Sequence, residues 1–577
     1  MTRASANGDV TILGVHDGHN AAACLYRNGK IIAALQEERI RRIKNWSGTP
    51  LGAIRWVMNY AGTNANEIDV VALNGEYMPR PQTKEELLEQ YRTIDSLKYQ
   101  LRKRLRNTPL RTILTRTRQQ ERSRELMALG FPRPKIQFVN HHQCHAAAAY
   151  YGWGRFNEPV LVLTNDGAGD MMCATVNIGE HGRIRTVDVV EDSHSLANIY
   201  AVVTFLMGMV PLEHEYKIMG MAPYADQKGA KKIADLFEQH FAFRMDNPIT
   251  WRRTSDMPDT FYSYPYLRDL LALHRFDAIM GGVQQFTERM LTQWVRRCVA
   301  HTGIRKVALS GGIFMNVKAN KLIMELPEID DLFIYPSCGD ETNAIGVCYK
   351  VYVDKAGLEG ITPLEDFYFG PSFDESSVLE SLQSFQFGGT KVCYQKSDNI
   401  EANVADLLNQ GEIVARFSGR EEFGARSLGN RAILANPSRV DLIRVLNDMI
   451  KSRDFWMPFA CSINEEFAGR YLKNPKNISA PYMILSFDTT ENVAEISAGI
   501  HPYDNTVRPQ IVSRSHNPQY HKLISEFNKR SNIGAVLNTS FNLHGFPIVH
   551  TPSDALEVFN KSGLRFLAIE DYLIWKM

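Results

Sequence analysis

Three imidazoles fall within five positions, at His141, His142 and His145, and four alanines follow at residues 146–149. Alanine is the strongest helix former, so the segment opens a helix. Side chains four apart share a helix face, which pairs His141 with His145 and turns His142 away. Two neutral imidazoles on one face can hold a divalent transition metal. On spacing alone, a polar helix start whose histidines make ordinary hydrogen bonds reads equally well. Carboxylates from elsewhere must tip that balance. Asp166 stands in the turn Asn165-Asp-Gly-Ala-Gly-Asp170, and Asp340 in a loop at the end of a strand, where ligand-binding loops tend to sit. Two imidazoles and two carboxylates suit iron, manganese or zinc better than magnesium. The plain alternative for each Asp is a cap or turn residue.

A second constellation is cationic. Arg416, Arg420, Arg426 and Arg431 share one loop-like stretch with several glycines, and Lys451, Arg453 and Arg508 add further positive heads. Guanidinium grips phosphate and carboxylate bidentately, while glycine lets the backbone close in, so the stretch reads as an anion cradle. Residues 535–542 read as a strand running into Asn538, Ser540 and Asn542, small polar groups able to hold a phosphate or ribose. Surface ion pairing is the competing reading.

The elements that must position these groups repeat. Residues 10–15, 21–26 and 31–35 read as a three-strand meander, with Asp17-Gly18 after the first strand and Asn28-Gly29 as a hairpin turn. Residues 159–164, 171–178 and 184–190 read as a second meander, with Asp166-Gly167 after its first strand. This is a repeat of structure, and it is what a duplicated nucleotide-binding fold of the actin, hexokinase and chaperone type requires. A strand at 306–310 runs into Gly311-Gly312 and a helix, a turn that lets backbone approach a nucleotide closely. Gly, Pro and acidic residues across 355–373 mark a domain boundary.

Whole-chain properties bound the rest. With 577 residues, more than one core is expected. A net charge of +1 creates no global field toward nucleic acid. Residues 1–9 are polar, which speaks against a secretory signal, and no apolar run approaches the roughly 18 residues that span a bilayer. Eight scattered cysteines without a CxxC pair indicate neither a zinc knuckle nor a disulfide framework, so a cytoplasmic setting is expected. Residues 84–129 read as helical and basic, with Lys98, Arg102, Lys103, Arg104, Arg106, Arg111, Arg116, Arg118, Arg122 and Arg124. Little aromatic interleaving and no nucleic-acid motif accompany them, so they read as a solvated insertion.

The stretch from Ser418 to Leu434, the run Trp456-Met-Pro-Phe-Ala460, Leu537 to Asn542 and the histidine cluster together resemble the O-carbamoyltransferase family of nodulation and antibiotic-tailoring enzymes, in order along essentially the whole chain. The resemblance implies an α/β protein: a duplicated actin-like ATPase (ASKHA) domain over 1–368 that transfers the carbamoyl group, and a YrdC-like α/β domain over 369–577 that forms carbamoyl-adenylate. It implies that carbamoyl phosphate and ATP with Mg(2+) bind at Arg426, Lys451, Arg508, Asn538 and Ser540. It implies metal ligands at His141, His145, Asp166 and Asp340, with Fe(2+) the expected ion and Mn or Zn the alternatives. Asp17 and His19 match an acid–base pair near a small-molecule hydroxyl acceptor, such as a natural product or sugar, and Gly311, Gly312 and Asn316 match nucleotide contacts. No membrane or nucleic-acid partner is expected, and a homo-oligomer stays open. Met457 stands where the family commonly has arginine, and Cys461 where it has proline; against that pattern the lost cation implies either an altered carbamoyl phosphate affinity or a phosphate contact taken over by Arg453. Two other readings remain: a tRNA threonylcarbamoyl-type enzyme, which needs the basic insertion to bind tRNA, and a nucleotide-regulated actin-like binding protein, which needs no arginine-rich second site.

Overall fold

Strand β1 (Thr11–His16) is buried along its whole length, and β2 (Ala22–Arg27) and β3 (Lys30–Gln36) fold back on it as an antiparallel meander. Asn28 and Gly29 take φ of 50° and 83°, the left-handed pair a tight hairpin needs. On the other flank of β1, strands β4 (Val70–Asn74) and β5 (Ile136–Val139) add in parallel, for a sheet order β3-β2-β1-β4-β5. Strands β6 (Val160–Gly169), β7 (Met172–Glu180) and β8 (Arg183–Glu191) form the second meander. After a small hairpin, β9 (Phe241–Phe243) and β10 (Trp251–Arg253), strands β11 (Lys306–Ser310) and β12 (Asp331–Ile334) add to β6 in parallel. The order β8-β7-β6-β11-β12 matches the first sheet strand for strand. The repeat read from two meanders therefore extends to five strands each, the duplicated actin-like arrangement. Near-continuous apolar runs in β1, β4, β6 and β11 reflect strands covered on both faces.

This computed structural model describes residues 9–94 and 110–577, which divide into two compact units. The first runs to Leu364 and the second from Glu365 to Met577, except that Glu38–Lys44 belongs to the second. Within it, buried Arg39 donates to the Gly424 carbonyl at 2.6 Å and faces Glu421 at 3.4 Å. The second unit is built on β13 (Val392–Lys396), β14 (Val414–Phe417), β15 (Arg431–Ala435) and β16 (Ala460–Asn464), a small sheet of β17 (Leu472–Lys473), β18 (Phe487–Thr489) and β19 (Thr506–Val507), then β20 (Gln510–Val512), β21 (Ala535–Ser540), β22 (Phe566–Ile569) and β23 (Tyr572–Lys576). Its main sheet is mixed, in the order β13-β23-β22-β14-β15-β21-β16-β20, over a core including Phe417, Ile433, Leu537, Phe559 and Leu567.

The basic insertion is in part a different object from the solvated face expected of it. Helices cover Lys84–Arg92 and Leu110–Met127, while Lys98, Arg102, Lys103, Arg104 and Arg106 lie outside the described residues. Arg118 and Arg122 are buried and turned inward, because fixed carbonyls and a carboxylate lie beneath them. That removes two cations from any phosphate-binding face. No described helix is long and apolar enough to cross a membrane, and all eight cysteines are free thiols.

Candidate functional site

The helix His141–Trp153 is held at its first turn from two sides. Asn140 caps it, its side chain accepting from the backbone N–H of His142 and Gln143, and Asp170 Oδ2 accepts from His141 N–H at 2.8 Å. Asp170 also accepts from the N–H groups of Glu76 and Tyr77, at 3.0 and 2.8 Å, so the loop after β4 is tied to the same carboxylate. From this fixed start His141 and His145 project on one face, their ring centroids 4.8 Å apart. The end of β6 delivers Asp166, and the 3-10 turn Asp340–Thr342 after β12 delivers Asp340.

The four side chains converge. His141 Nε2 lies 3.0 Å from Asp166 Oδ2 and 3.4 Å from Asp340 Oδ1, and His145 Nε2 lies 3.3 Å from Asp340 Oδ1 and 3.8 Å from Asp166 Oδ2. One ligand atom from each of the four falls within 4.8 Å of all the others. Donors bound at about 2.1 Å to one ion stand about 3 Å apart when adjacent and about 4 Å when opposite, so small side-chain shifts close this set around a single cation. The back of each ring is also arranged for that. His141 Nδ1 meets Asn74 Nδ2 at 3.3 Å and His145 Nδ1 meets Ser310 Oγ at 3.1 Å, which leaves both Nε2 atoms to face the carboxylates. Asp166 Oδ1 accepts from Gly312 N–H at 2.9 Å. Asp340 Oδ1 is buried with no hydrogen-bond partner among the described residues, an acceptor oriented toward both imidazoles. The residues fit a divalent ion.

Charge points the same way. Burial opposes a charge on His141, but Asp340 and Asp166 overcome it and raise its pKa to about 9; His145 is raised too, against burial, by Asp166 and Asp340. Burial and Asp166 push Asp340 up, yet His141 and His19 bring it down to about 2. Two carboxylates thus balance two imidazolium protons, and a divalent cation replaces those protons without a net change of charge. Metal affinity should therefore rise with pH through neutrality and level off near pH 9, with proton release on binding. Titration calorimetry in buffers of different ionisation enthalpy measures that release, and a flat affinity between pH 6 and about 9 would contradict it.

His142 takes no part. Its Nδ1 meets Thr164 Oγ1 at 2.8 Å and its Nε2 the Met172 carbonyl at 3.0 Å, and burial lowers its pKa to about 3. Gly169, at the end of β6, lies flat against His141, and an added Cβ would overlap the imidazole. Gly169→Ala should cost about 1–3 kcal/mol of stability through overpacking and displace His141 from the cluster. The measurement is metal content of the folded variant; full occupancy would show that the ring moves freely.

The two residues matched to an acid–base pair sit in different environments. His19 is part exposed and its Nδ1 is 3.6 Å from Asp340 Oδ2, beside the cluster. Asp17 is buried and held by Arg122, whose Nε and Nη2 donate to its two oxygens at 2.7 and 2.8 Å. The same guanidinium donates to the carbonyls of Asn74 and Gly75, both at 2.7 Å. Next to them, buried His16 bridges Asn74 Nδ2 and the His19 carbonyl, both at 2.9 Å, and burial lowers its pKa to about 4. Sequence reasoning passed over Arg122, Asn74, Ser310, Asp170 and His16. Only Asn74 left a signal, as a polar residue closing an apolar strand; Arg122 was hidden in a run of exposed-looking cations.

Gly311 has φ of 112° and packs against the Asn165 backbone, where any Cβ would clash. Gly312 spends its N–H on Asp166, and Asn316 caps the helix Val317–Glu325 while exchanging two amide hydrogen bonds with Gln284, at 2.9 and 3.0 Å. Gly312 thus touches the histidine–aspartate cluster directly, and Gly311 and Asn316 flank it in the chain.

In the second unit the arginine-rich stretch splits in two. Arg416, Arg420 and Arg431 point into carbonyls: Arg416 to Gly429, Arg420 to Phe369 and Gly370, Arg431 to Ser418, Gly419 and Pro371. They hold the loop together, which corrects the expectation of four cradle arginines. Carbonyls in a tight glycine-rich loop need internal donors, and guanidinium satisfies several at once. Arg426 instead gathers with Arg453 and Arg508. Burial, then Arg426 and Arg453, hold the Arg508 guanidinium well below its usual range, and its Nε has no hydrogen-bond partner among the described residues. Burial, then Arg453 and Lys44, lower Lys451 in the same way. Lys451 Nζ donates to the Ser540 carbonyl and to Asn542 Oδ1 at 2.9 Å, while Arg453 Nη2 donates to Thr539 Oγ1 at 3.0 Å. Asn538 Nδ2 donates to Ser462 Oγ at 3.0 Å, and its Oδ1 is buried with no hydrogen-bond partner among the described residues. Crowded cations that lower one another's pKa are what an anion site requires.

Comparison with known proteins places both units. Residues 11–349 match the family model for the carbamoyltransferase N-terminus and residues 405–576 that for the carbamoyltransferase C-terminus. The chain is 30% identical to nodulation protein NolNO of Sinorhizobium fredii, over 97% of this chain and 79% of that protein. It is 29% identical to nodulation protein NolO of Bradyrhizobium diazoefficiens, over 76% of this chain and 79% of that one, and 28% identical to an uncharacterized Synechocystis protein over 97% and 95%. With the duplicated fold, the two-histidine, two-aspartate cluster and the cation cluster each inside a matched segment, the chain belongs to the carbamoyltransferase family.

Proposed function

We propose that the protein is an ATP-dependent O-carbamoyltransferase acting on a hydroxyl of a small molecule, a natural product or sugar, and that its second unit is YrdC-like and forms carbamoyl-adenylate. The observation that carries the reading is the crowded cation cluster of Arg426, Lys451, Arg453 and Arg508 in a unit that matches the carbamoyltransferase C-terminus. These side chains suit phosphates of carbamoyl phosphate and MgATP: water hydrolyses carbamoyl phosphate to carbamate and inorganic phosphate, and a carbamate oxygen then attacks the α-phosphorus of ATP as pyrophosphate leaves. Arg508 and Arg426 offset the charge on phosphate oxygens, and Ser540 and Asn542 orient Lys451 toward them. Asn538 offers its open carbonyl oxygen to an amino or hydroxyl group.

In the first unit the acceptor hydroxyl attacks the carbamoyl carbon and AMP leaves. An alcohol is a weak nucleophile at neutral pH, so its proton needs an acceptor. His19, part exposed at the rim of the cluster, suits that role, and Asp17 with Arg122 supports the loop that carries it. A divalent ion on His141, His145, Asp166 and Asp340, with iron proposed ahead of manganese and zinc, would polarise the carbamoyl group and offset charge on the departing phosphate. Gly311, Gly312 and Asn316 suit the nucleotide end.

The test separates the halves. With carbamoyl phosphate and MgATP the protein should release pyrophosphate, and a panel of polyols, sugars and aminoglycosides followed by mass spectrometry should show a carbamoylated product with AMP. Arg508→Ala should lower pyrophosphate release about a hundredfold or more with metal content unchanged, as expected for loss of a charge-stabilising donor. Pyrophosphate release that ignores carbamoyl phosphate would overturn the reading.

A further inference from the structure

Helix Asn343–Ala356 begins three residues after Asp340 and packs tightly on helix His141–Trp153, where Gly346 leaves no room for a Cβ against the Cys144 carbonyl. That close approach brings the Asn343 amide to the metal cluster. Its Nδ2 lies 3.0 Å from His145 Nε2, the ring nitrogen that faces Asp166 and Asp340. The residue is fully buried, and its Oδ1 has no hydrogen-bond partner among the described residues.

This arrangement conflicts with a cation in one respect only. When Nε2 binds a metal, as when it carries the imidazolium proton, it has no lone pair left for an N–H donor, and the positive end of the amide would face the positive charge. The two ends of a carboxamide are nearly equal in size, so a half-turn about the terminal torsion exchanges them without repacking. Oδ1 then occupies the position 3.0 Å from His145 Nε2, which is the spacing of adjacent donors on one ion bound at about 2.1 Å. An amide oxygen is a neutral, hard donor, so the set keeps the two negative charges that balance a divalent cation.

We propose that Asn343 is a fifth protein donor to the metal, binding through Oδ1 with its amide turned. The inference rests on the metal-centre reading above. It predicts a site at least five-coordinate before any substrate arrives, which favours iron or manganese over a closed tetrahedral zinc site.

Cobalt(II) loaded into the full chain is the probe, read by its visible absorption and by competition with a chelator. Asn343→Ala should weaken cobalt at least tenfold, and its absorption bands should intensify as coordination number falls. A residue that merely supports His145 would alter affinity but leave the bands in place. Asn343→Asp, nearly equal in volume, puts a charged oxygen at the same point and should tighten binding several-fold while keeping the weak bands of the higher coordination number. Bands unchanged in Asn343→Ala, or cobalt affinity in Asn343→Asp within twofold of the unsubstituted protein, would overturn the proposal. The aspartate variant decides the matter by itself if the alanine variant does not fold. If the unsubstituted chain takes up no cobalt, the metal centre and this inference fall together; if it does and His145→Ala does not, only the role of Asn343 is at stake.

Discussion

Asp340→Ala should yield a folded protein that binds no stoichiometric metal and releases pyrophosphate normally, while carbamoyl transfer falls by three orders of magnitude or more. The size of the effect follows from position. Asp340 is the member of the cluster within 3.3–3.4 Å of both Nε2 atoms, and it is buried. Loss of a residue that only supports a ligand typically costs about ten- to a hundredfold in metal affinity, so loss of this carboxylate should exceed that range. Removing it also leaves Asp166 as the one carboxylate among the four clustered side chains, so the set no longer balances the charge of a divalent ion. Metal analysis by mass spectrometry together with a pyrophosphate assay reads both halves at once. Retained metal in Asp340→Ala would mean that the cluster is a hydrogen-bonded core and not a binding site.

Arg122→Ala carries the largest expected loss of stability. The guanidinium satisfies both oxygens of Asp17 and the carbonyls of Asn74 and Gly75 in a place closed to water. Truncation leaves a buried carboxylate without its counter-charge, and breaking such a pair costs about 3–5 kcal/mol. Asp17→Asn should relieve much of that loss in the double variant, since it removes the stranded charge. Urea unfolding of the four proteins of that cycle, followed by the protection of backbone amides in β1 and β4, reports the first unit separately from the second. A cost for Arg122→Ala under about 1 kcal/mol would show that water reaches Asp17 and that the pair is dispensable. The same variant should loosen Asn74, and through it His141 and His16, so metal affinity should fall alongside stability.

The architecture of the first unit was legible to an unusual depth because its signals are local. Buried strands need apolar runs, Asn28-Gly29 needs a left-handed turn, and two meanders with Asp-Gly after the first strand announce a duplication. His141 and His145 were legible for the same reason: four-residue spacing on a helix needs no knowledge of anything else in the chain. The arginine-rich stretch was legible as a dense loop but not in its division of labour. Arg416, Arg426 and Arg431 are indistinguishable in sequence, and only the neighbours each one meets separate two loop clamps from one cluster member.

The sequence by itself determined which residue types are available at which periodicity: a histidine pair on one helix face, acidic residues at strand ends, glycines where backbone turns left-handed, and a second cationic segment. Tertiary structure alone decided which of them meet. Asp166 and Asp340 join the histidines because β6, β12 and helix His141–Trp153 end at one place, across separations of 25 to about 200 residues that no local pattern encodes. Arg122 became a buried clamp and Asn343 a neighbour of His145 for the same reason. Periodicity is a property of one segment, whereas burial, charge partnership and ligand geometry arise only when several segments are packed against each other.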